Sequence, residues 1–190
     1  MSASAPPKEK DLSVSNGHHK EREKELKAKN YREIKGQPYA RKEFIKGPPA
    51  PKITKFTMGD TSKRFNYRVS LVAEEAAQVR HVALEAGRVA ANRLLAEKLG
   101  KDFLLKVIPY PHIVLRENKM MFGAHADRLQ DGMRKAFGKP IGTAARVKVN
   151  QPIIIAEVDE RGIDVAKEAM IRGRAKLPMQ CRILIEKIND

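Results

Sequence analysis

FNYRVSLVAEEAAQVRHVALEAGRVAANRLLAEKLG, residues Phe65–Gly100, changes its hydrophobic period part-way along. Near its start Tyr67, Val69 and Leu71 alternate with polar or charged neighbours, the period-two mark of a half-buried strand. From Glu74 to Leu99 the apolar residues Ala76, Val79, Val82, Ala83, Ala86, Val89, Ala90 and Leu94 recur at spacings of three and four, which predicts one long helix with these residues on its buried face. Glu74 and Glu75 suit a first turn, where the helix dipole favours anions, and Gly100 suits the end. Arg80, Arg88 and Arg93 then read as solvated charges of the other face, and His81 as a packing or surface histidine rather than an acid or base.

Beyond Gly100 the strand signals return. FLLKVI (103–108) and HIVLRE (112–117) are strand candidates, and Pro109 and Pro111 between them exclude one continuous central strand, so a hammerhead-like bend is expected there. AARVKV (144–149) and PIIIAEV (152–158) read as a strand pair across a short turn near Asn150. Gly162 to about Gly173 reads as a second amphipathic helix through Val165, Ala169 and Met170, and Gln180–Ile188 as a last strand. The order is that of an α+β fold, a two-layer sandwich of a mixed β-sheet and two main helices, with a β-hammerhead-like element.

Upstream of this domain (61–190) the composition changes twice. Residues 1–29 are Ser, Ala and Pro followed by interspersed Lys and Glu, with almost nothing apolar to bury, and are expected to be a disordered extension. Residues 30–60 place Tyr31, Tyr39, Phe44 and Phe56 among Arg32, Lys35, Arg41, Lys42, Lys46, Lys52 and Lys55. Pro38, Pro48, Pro49 and Pro51 forbid a regular helix or central strand here, so this segment is expected to run as an extended basic arm. Such an arm suits folded RNA, with cations on phosphates and rings either on bases or docked on the domain.

Charge points the same way. Of 190 residues, 38 are Lys or Arg and 23 Asp or Glu, a formal net charge of +15; this self-repulsion is relieved when a polyanion neutralises it. A nucleic acid is the leading partner. The chain holds no apolar run of about 18 residues and no leader-like start, so no membrane association is expected and a soluble, intracellular protein is. Cys181 is the only cysteine, which excludes an intrachain disulfide and a cysteine-based zinc site, and it reads as a small apolar residue of a buried strand. His18, His19, His81, His112 and His125 share no metal-ligand spacing; no metal and no cofactor is expected.

Catalytic patterns fail on inspection. GMRKAFGKP (132–140) superficially suggests a phosphate-binding loop, but five residues separate Gly132 from Gly138 where four are required, and Pro140 stands where Ser or Thr is needed. His112, Glu117, His125 and Asp127 form no nucleophile and base signature. No enzymatic activity and no small-molecule substrate is expected.

RENKMMFGAHADRLQDGMRKAFGKPIGTAARV (116–147), the preceding VAEEAAQVRHVALEAGRVAANRLL (72–95) and the later AKLP (175–178) together carry a family resemblance. Over about residues 30–188 the chain resembles the ribosomal protein L-ten-e family of archaea and eukaryotes, counterpart of bacterial L-sixteen. The segment from Ala126 to Thr143 is its most specific part. The resemblance implies an α+β domain with a β-hammerhead, in the large ribosomal subunit of the cytoplasm. Its implied partners are 23S-type ribosomal RNA near the peptidyl-transferase region, the 5S RNA neighbourhood, tRNA and other large-subunit proteins. It further implies that Lys119, Met120, Met121, Phe122, Gly123, Ala124, His125, Ala126, Asp127 and Arg128 form the tRNA-facing loop, closed by a helix with Leu129, Met133 and Phe137 on one face. Phe122 and His125 stand where members usually carry small residues. The short chain end after the last strand matches archaeal members. Arg116, Arg134, Lys135, Lys139, Arg146 and Lys148, with the arm cations Arg32, Lys35, Arg41, Lys42, Lys46 and Lys52, are the candidate rRNA contacts. The alternative is a free-standing nucleic-acid-binding protein, chromatin- or RNA-associated, using the same charge.

Overall fold

A computed structural model describes residues 32–34, 42–120, 122–123 and 137–188. The extension 1–29 therefore lies outside the described residues, as does the helix expected after Ala126, apart from Phe137, which stands in a turn.

Tyr67–Ala73 (β2) forms as its alternation predicts, but from Val69 onward every residue is buried. Its position explains this: β2 lies between Pro152–Val158 (β7) and Cys181–Lys187 (β8), paired antiparallel with both. With Thr57–Gly59 (β1) and Leu104–Val107 (β4) these strands make a five-stranded sheet in the order β1-β4-β7-β2-β8. A second, three-stranded sheet contains Ala77–Arg80 (β3), Lys139–Val147 (β6) and Ile113–Glu117 (β5), in the order β3-β6-β5. The architecture is α+β as expected, and the sheet expected to be mixed is antiparallel at every described ladder.

Four expectations are corrected. The long helix begins at His81, not Glu74: α1 is His81–Leu99, and Ala77–Arg80 ahead of it is β3, pairing with β6 from Ala77↔Val147 to Arg80↔Ala144. Ala77, Gln78 and Val79 are all buried; the Gln78 amide N–H donates to the Arg32 carbonyl at 3.1 Å and its side chain to the Glu33 carbonyl at 3.2 Å. A strand covered on both sides loses its alternation and passes for a helical stretch. Gly100 does end the helix, at φ 64 and with its N–H on the Ala96 carbonyl.

The buried face of α1 is also different. His81, Leu84, Gly87, Ala91, Leu94 and Leu95 face inward, while Val82 and Val89 are each 48% exposed. The contact with α2 (Ile163–Arg174) decides this. A Cβ on Gly87 would lie 3.5 Å from the Gly173 carbonyl oxygen and from Ile154 Cδ1, so the two helices cross backbone to backbone at paired glycines. Hydrophobic counting weighs the valines and overlooks the glycine. Arg88, expected to be solvated, is half-buried: its Nε donates to Glu85 at 2.8 Å and its Nη1 meets Met58 Sδ at 2.8 Å.

The strands on either side of Asn150 do not pair with each other. Asn150 adopts φ 62, and the chain passes from β6 in one sheet to β7 in the other. Likewise Pro109 to Pro111 separate β4 from β5, one strand in each sheet. Both helices contribute to one core: Leu84, Leu94, Leu95, Ala166, Ala169 and Met170 pack with Val69, Leu71, Leu105, Ile154, Ala156 and Val158. Cys181 lies in this core, where burial raises its thiol pKa to about 11, and its Sγ donates to the Met179 carbonyl at 3.6 Å.

Candidate nucleic-acid interface

Within the described residues of the arm, 42–56 alternates anchors with cations. Ile45 packs on Val114 and Ile53 is 1% exposed in the main core, while Lys46 and Lys52 beside them are exposed. Burying two isoleucines stabilises by about 1.5–3 kcal/mol each, and this fixes the path of a segment that has no regular strand. The sequence reading overlooked these two residues; an isolated Ile inside a Pro-rich basic stretch was the available signal. Lys42 opens a short 3-10 turn, Lys42–Phe44. Arg32 is exposed and its backbone bridges to Gln78. Lys35 and Arg41, with Tyr31 and Tyr39, lie outside the described residues.

His81 ties the arm to the domain. Its Nδ1 accepts the Lys52 backbone N–H at 2.8 Å, and a Cβ added to Gly142 on β6 would stand 2.9 Å from its Nε2. Burial, then the Arg80 and Lys52 charges, push its pKa below the ordinary value of 6.5. The imidazole is therefore neutral near pH 7, a packed acceptor with no catalytic arrangement around it.

The two limbs of the 118–136 segment meet where β5 and β6 pair, Arg116 opposite Pro140 and Glu117 opposite Lys139. Arg116 does not point freely to solvent. Its guanidinium lies 3.5 Å from the centroid of the Phe137 ring and its Nη1 donates to the Phe137 carbonyl. Gly138, at φ 71, passes so close that a Cβ there would be 2.8 Å from the Glu117 carbonyl carbon. Outward from this root Lys119 and Met120 are exposed, Phe122 is 93% exposed, and Gly123 has φ 138. Met121, Ala124, His125, Ala126, Asp127 and Arg128 lie outside the described residues, as do Arg134 and Lys135. Lys139 and Lys148 are exposed on β6 and just after it, and Arg146 is half-buried on β6.

Ion pairs hold several cations of the domain. Lys63 pairs with Asp159 at 2.8 Å, Arg68 with Glu157 at 3.0 Å, and Lys98 and Arg172 both hold Glu168, at 2.8 and 2.7 Å. Hydrogen bonds from Lys98 and then Arg172 lower the Glu168 pKa. Lys46, Lys52, Lys139 and Lys148 have no carboxylate within ion-pair distance among the described residues. The arm and the limbs of the 118–136 segment thus present cations that no described carboxylate pairs.

A family model described as ribosomal protein L16p/L10e matches residues 34–184 of this chain. The chain belongs to that family. Among its relatives, the large ribosomal subunit protein uL16 of Thermoplasma acidophilum is 52% identical over 161 residues, covering 84% of this chain and 92% of that protein. The protein of the same name from Staphylothermus marinus is 51% identical over 163 residues, covering 85% and 94%. That of Hyperthermus butylicus is 50% identical over 156 residues, covering 82% and 87%. The span matched to the L16p/L10e family runs from the arm through both sheets and both helices, so the loop root, the arm anchors and the exposed lysines all fall within it. No described helix is long and apolar enough to cross a membrane.

Proposed function

We propose that this chain is a structural constituent of the large ribosomal subunit. In this reading it binds 23S-type rRNA near the peptidyl-transferase centre, beside the 5S RNA and other large-subunit proteins, and its Lys119–Arg128 loop helps to position tRNA acceptor ends. It acts in the cytoplasmic ribosome and catalyses nothing itself. The observation that supports the rRNA reading best is the exposure of Lys46, Lys52, Lys139 and Lys148 on the arm and beside the loop root, with no ion-pair partner among the described residues. Their function is to meet phosphates, which fix register and orientation without reading sequence.

Sedimentation through a high-salt sucrose gradient tests the assignment. Co-migration with large subunits is expected, and complete release into the free fraction, as for a free-standing nucleic-acid-binding protein, would overturn it. For the loop, subunits carrying a deletion of Gly123–Ala126 are expected to retain the protein and to accommodate tRNA poorly. Normal translation by those subunits would count against the tRNA role.

A further inference from the structure

Phe56, one of the arm's aromatic residues, pairs its ring with Tyr110, which belongs to none of the residue sets assigned above. Their centroids are 5.5 Å apart and their planes meet at 32°. Phe56 is half-buried against the core, whereas Tyr110 is 57% exposed. Both are held by their backbones: Val107 donates its N–H to the Phe56 carbonyl at 2.8 Å, and His112 its N–H to the Tyr110 carbonyl at 3.0 Å. Pro109 and Pro111 are buried on either side of Tyr110, and proline fixes φ at each. The turn therefore presents an aromatic ring outward on a stiff support, with the exposed Ile108 beside it.

The charge of the two segments favours an anionic partner. Neither 44–59 nor 106–116, the segments that carry the two rings, contains an acidic residue, while they contribute Lys46, Lys52, Lys55, Lys106 and Arg116. An exposed aromatic on segments that carry cations and no acid suits unpaired bases, because every base offers a π-face and cations of the same segments can take the phosphates. We propose that Tyr110, supported by Phe56, is a stacking platform for one unpaired nucleobase. This rests on the rRNA-binding reading and names a contact within it.

The chain has no tryptophan, so Tyr110→Trp places a sole indole at the platform. On titration with purified large-subunit rRNA, the indole emission is expected to be quenched. Tyr110→Phe should bind as the parent does, and Tyr110→Leu should bind about five- to a hundred-fold more weakly. The slope of log K against log salt should be unchanged in Tyr110→Leu, because no phosphate contact is lost. Unaltered emission on RNA binding, parental affinity in Tyr110→Leu, or a changed slope would overturn the platform and leave the rRNA reading standing. Failure of the parent protein to bind rRNA would overturn both. Thermal unfolding of each variant identifies misfolding; if Tyr110→Leu does not fold, the emission of Tyr110→Trp and the affinity of Tyr110→Phe decide.

Discussion

Arg116 closes its guanidinium over the Phe137 ring, 3.5 Å from the ring centroid, and donates to the carbonyl of the same residue. One residue on the entry limb thus holds the exit limb of the 118–136 segment, twice, at the point where β5 meets β6. A cation expected to meet phosphate is occupied in fixing the base of the loop it precedes. The carbonyl takes one of the five N–H groups that Arg carries on its planar fork.

Arg116→Lys keeps the charge and loses the planar stack and fork. The global unfolding free energy should fall by no more than about 1 kcal/mol, the size of an exposed cation–π contact. Hydrogen exchange at Asn118 and Gly138 should rise well above that of β7. Unchanged exchange at the root would show that pairing of β5 with β6 suffices without the latch.

Two glycines with positive φ separate conformational strain from collision. Gly47 has φ 64 and open space where a Cβ would go, whereas a Cβ on Gly59, at φ 90, would stand 1.9 Å from the Phe103 carbonyl oxygen. Gly47→Ala should cost about 1–2 kcal/mol, the left-handed penalty alone. Gly59→Ala should cost more, because β1 must also separate from the Phe103 carbonyl; denaturant unfolding of the two variants measures the difference. Equal costs would mean that β1 relaxes freely.

His81 and Glu85 make stability depend on pH in different windows. The His81 pKa is lowered in the fold by burial and by Arg80 and Lys52, so the unfolded chain binds the proton more readily. Stability from His81 is complete above about pH 6.5, the unfolded value, and is lost as pH falls below it towards the depressed folded pKa. Glu85, lowered by its hydrogen bond to Arg88, contributes above its ordinary value of 4.5 and loses that contribution in more acid solution. Melting temperature against pH should show the first step as pH falls below about 6.5, and His81→Gln should remove it while leaving the acid step. A profile unchanged by that substitution would contradict a neutral, buried imidazole.

Lys46, Lys52, Lys139 and Lys148 are exposed and lack an ion-pair partner among the described residues. Each Lys→Gln change should alter stability by less than about 0.5 kcal/mol and, where the lysine meets a phosphate, reduce the salt slope of rRNA binding by about 0.7–0.9. Arg68→Gln, which breaks the pair with Glu157, should lower stability and leave the slope alone. Equal slopes across all five variants would remove these lysines from the interface.

Some of this was legible in order along the chain. The alternation through Tyr67, Val69 and Leu71 led to β2, the spacing of Val165, Ala169 and Met170 to α2, and Gly100 to the end of α1, because each depends on residues within a few positions of one another. The family resemblance was likewise carried by contiguous runs. What failed was partnership. Ala76 and Val79 matched a helical stripe by spacing, yet Val79 lies in β3, since β6 and the Arg32–Glu33 backbone were available to cover it.

By itself, then, the sequence determined β2, α2, the end of α1 and the basic surplus. Only the tertiary structure decided which strands share a sheet, which face of α1 turns inward, and that Arg116 and Phe137 meet across the loop. Period and composition act between near neighbours in the chain. Gly87 against Gly173, β6 against β3 and Arg116 over Phe137 join residues far apart in sequence, and such contacts form only once the folded chain brings those segments together.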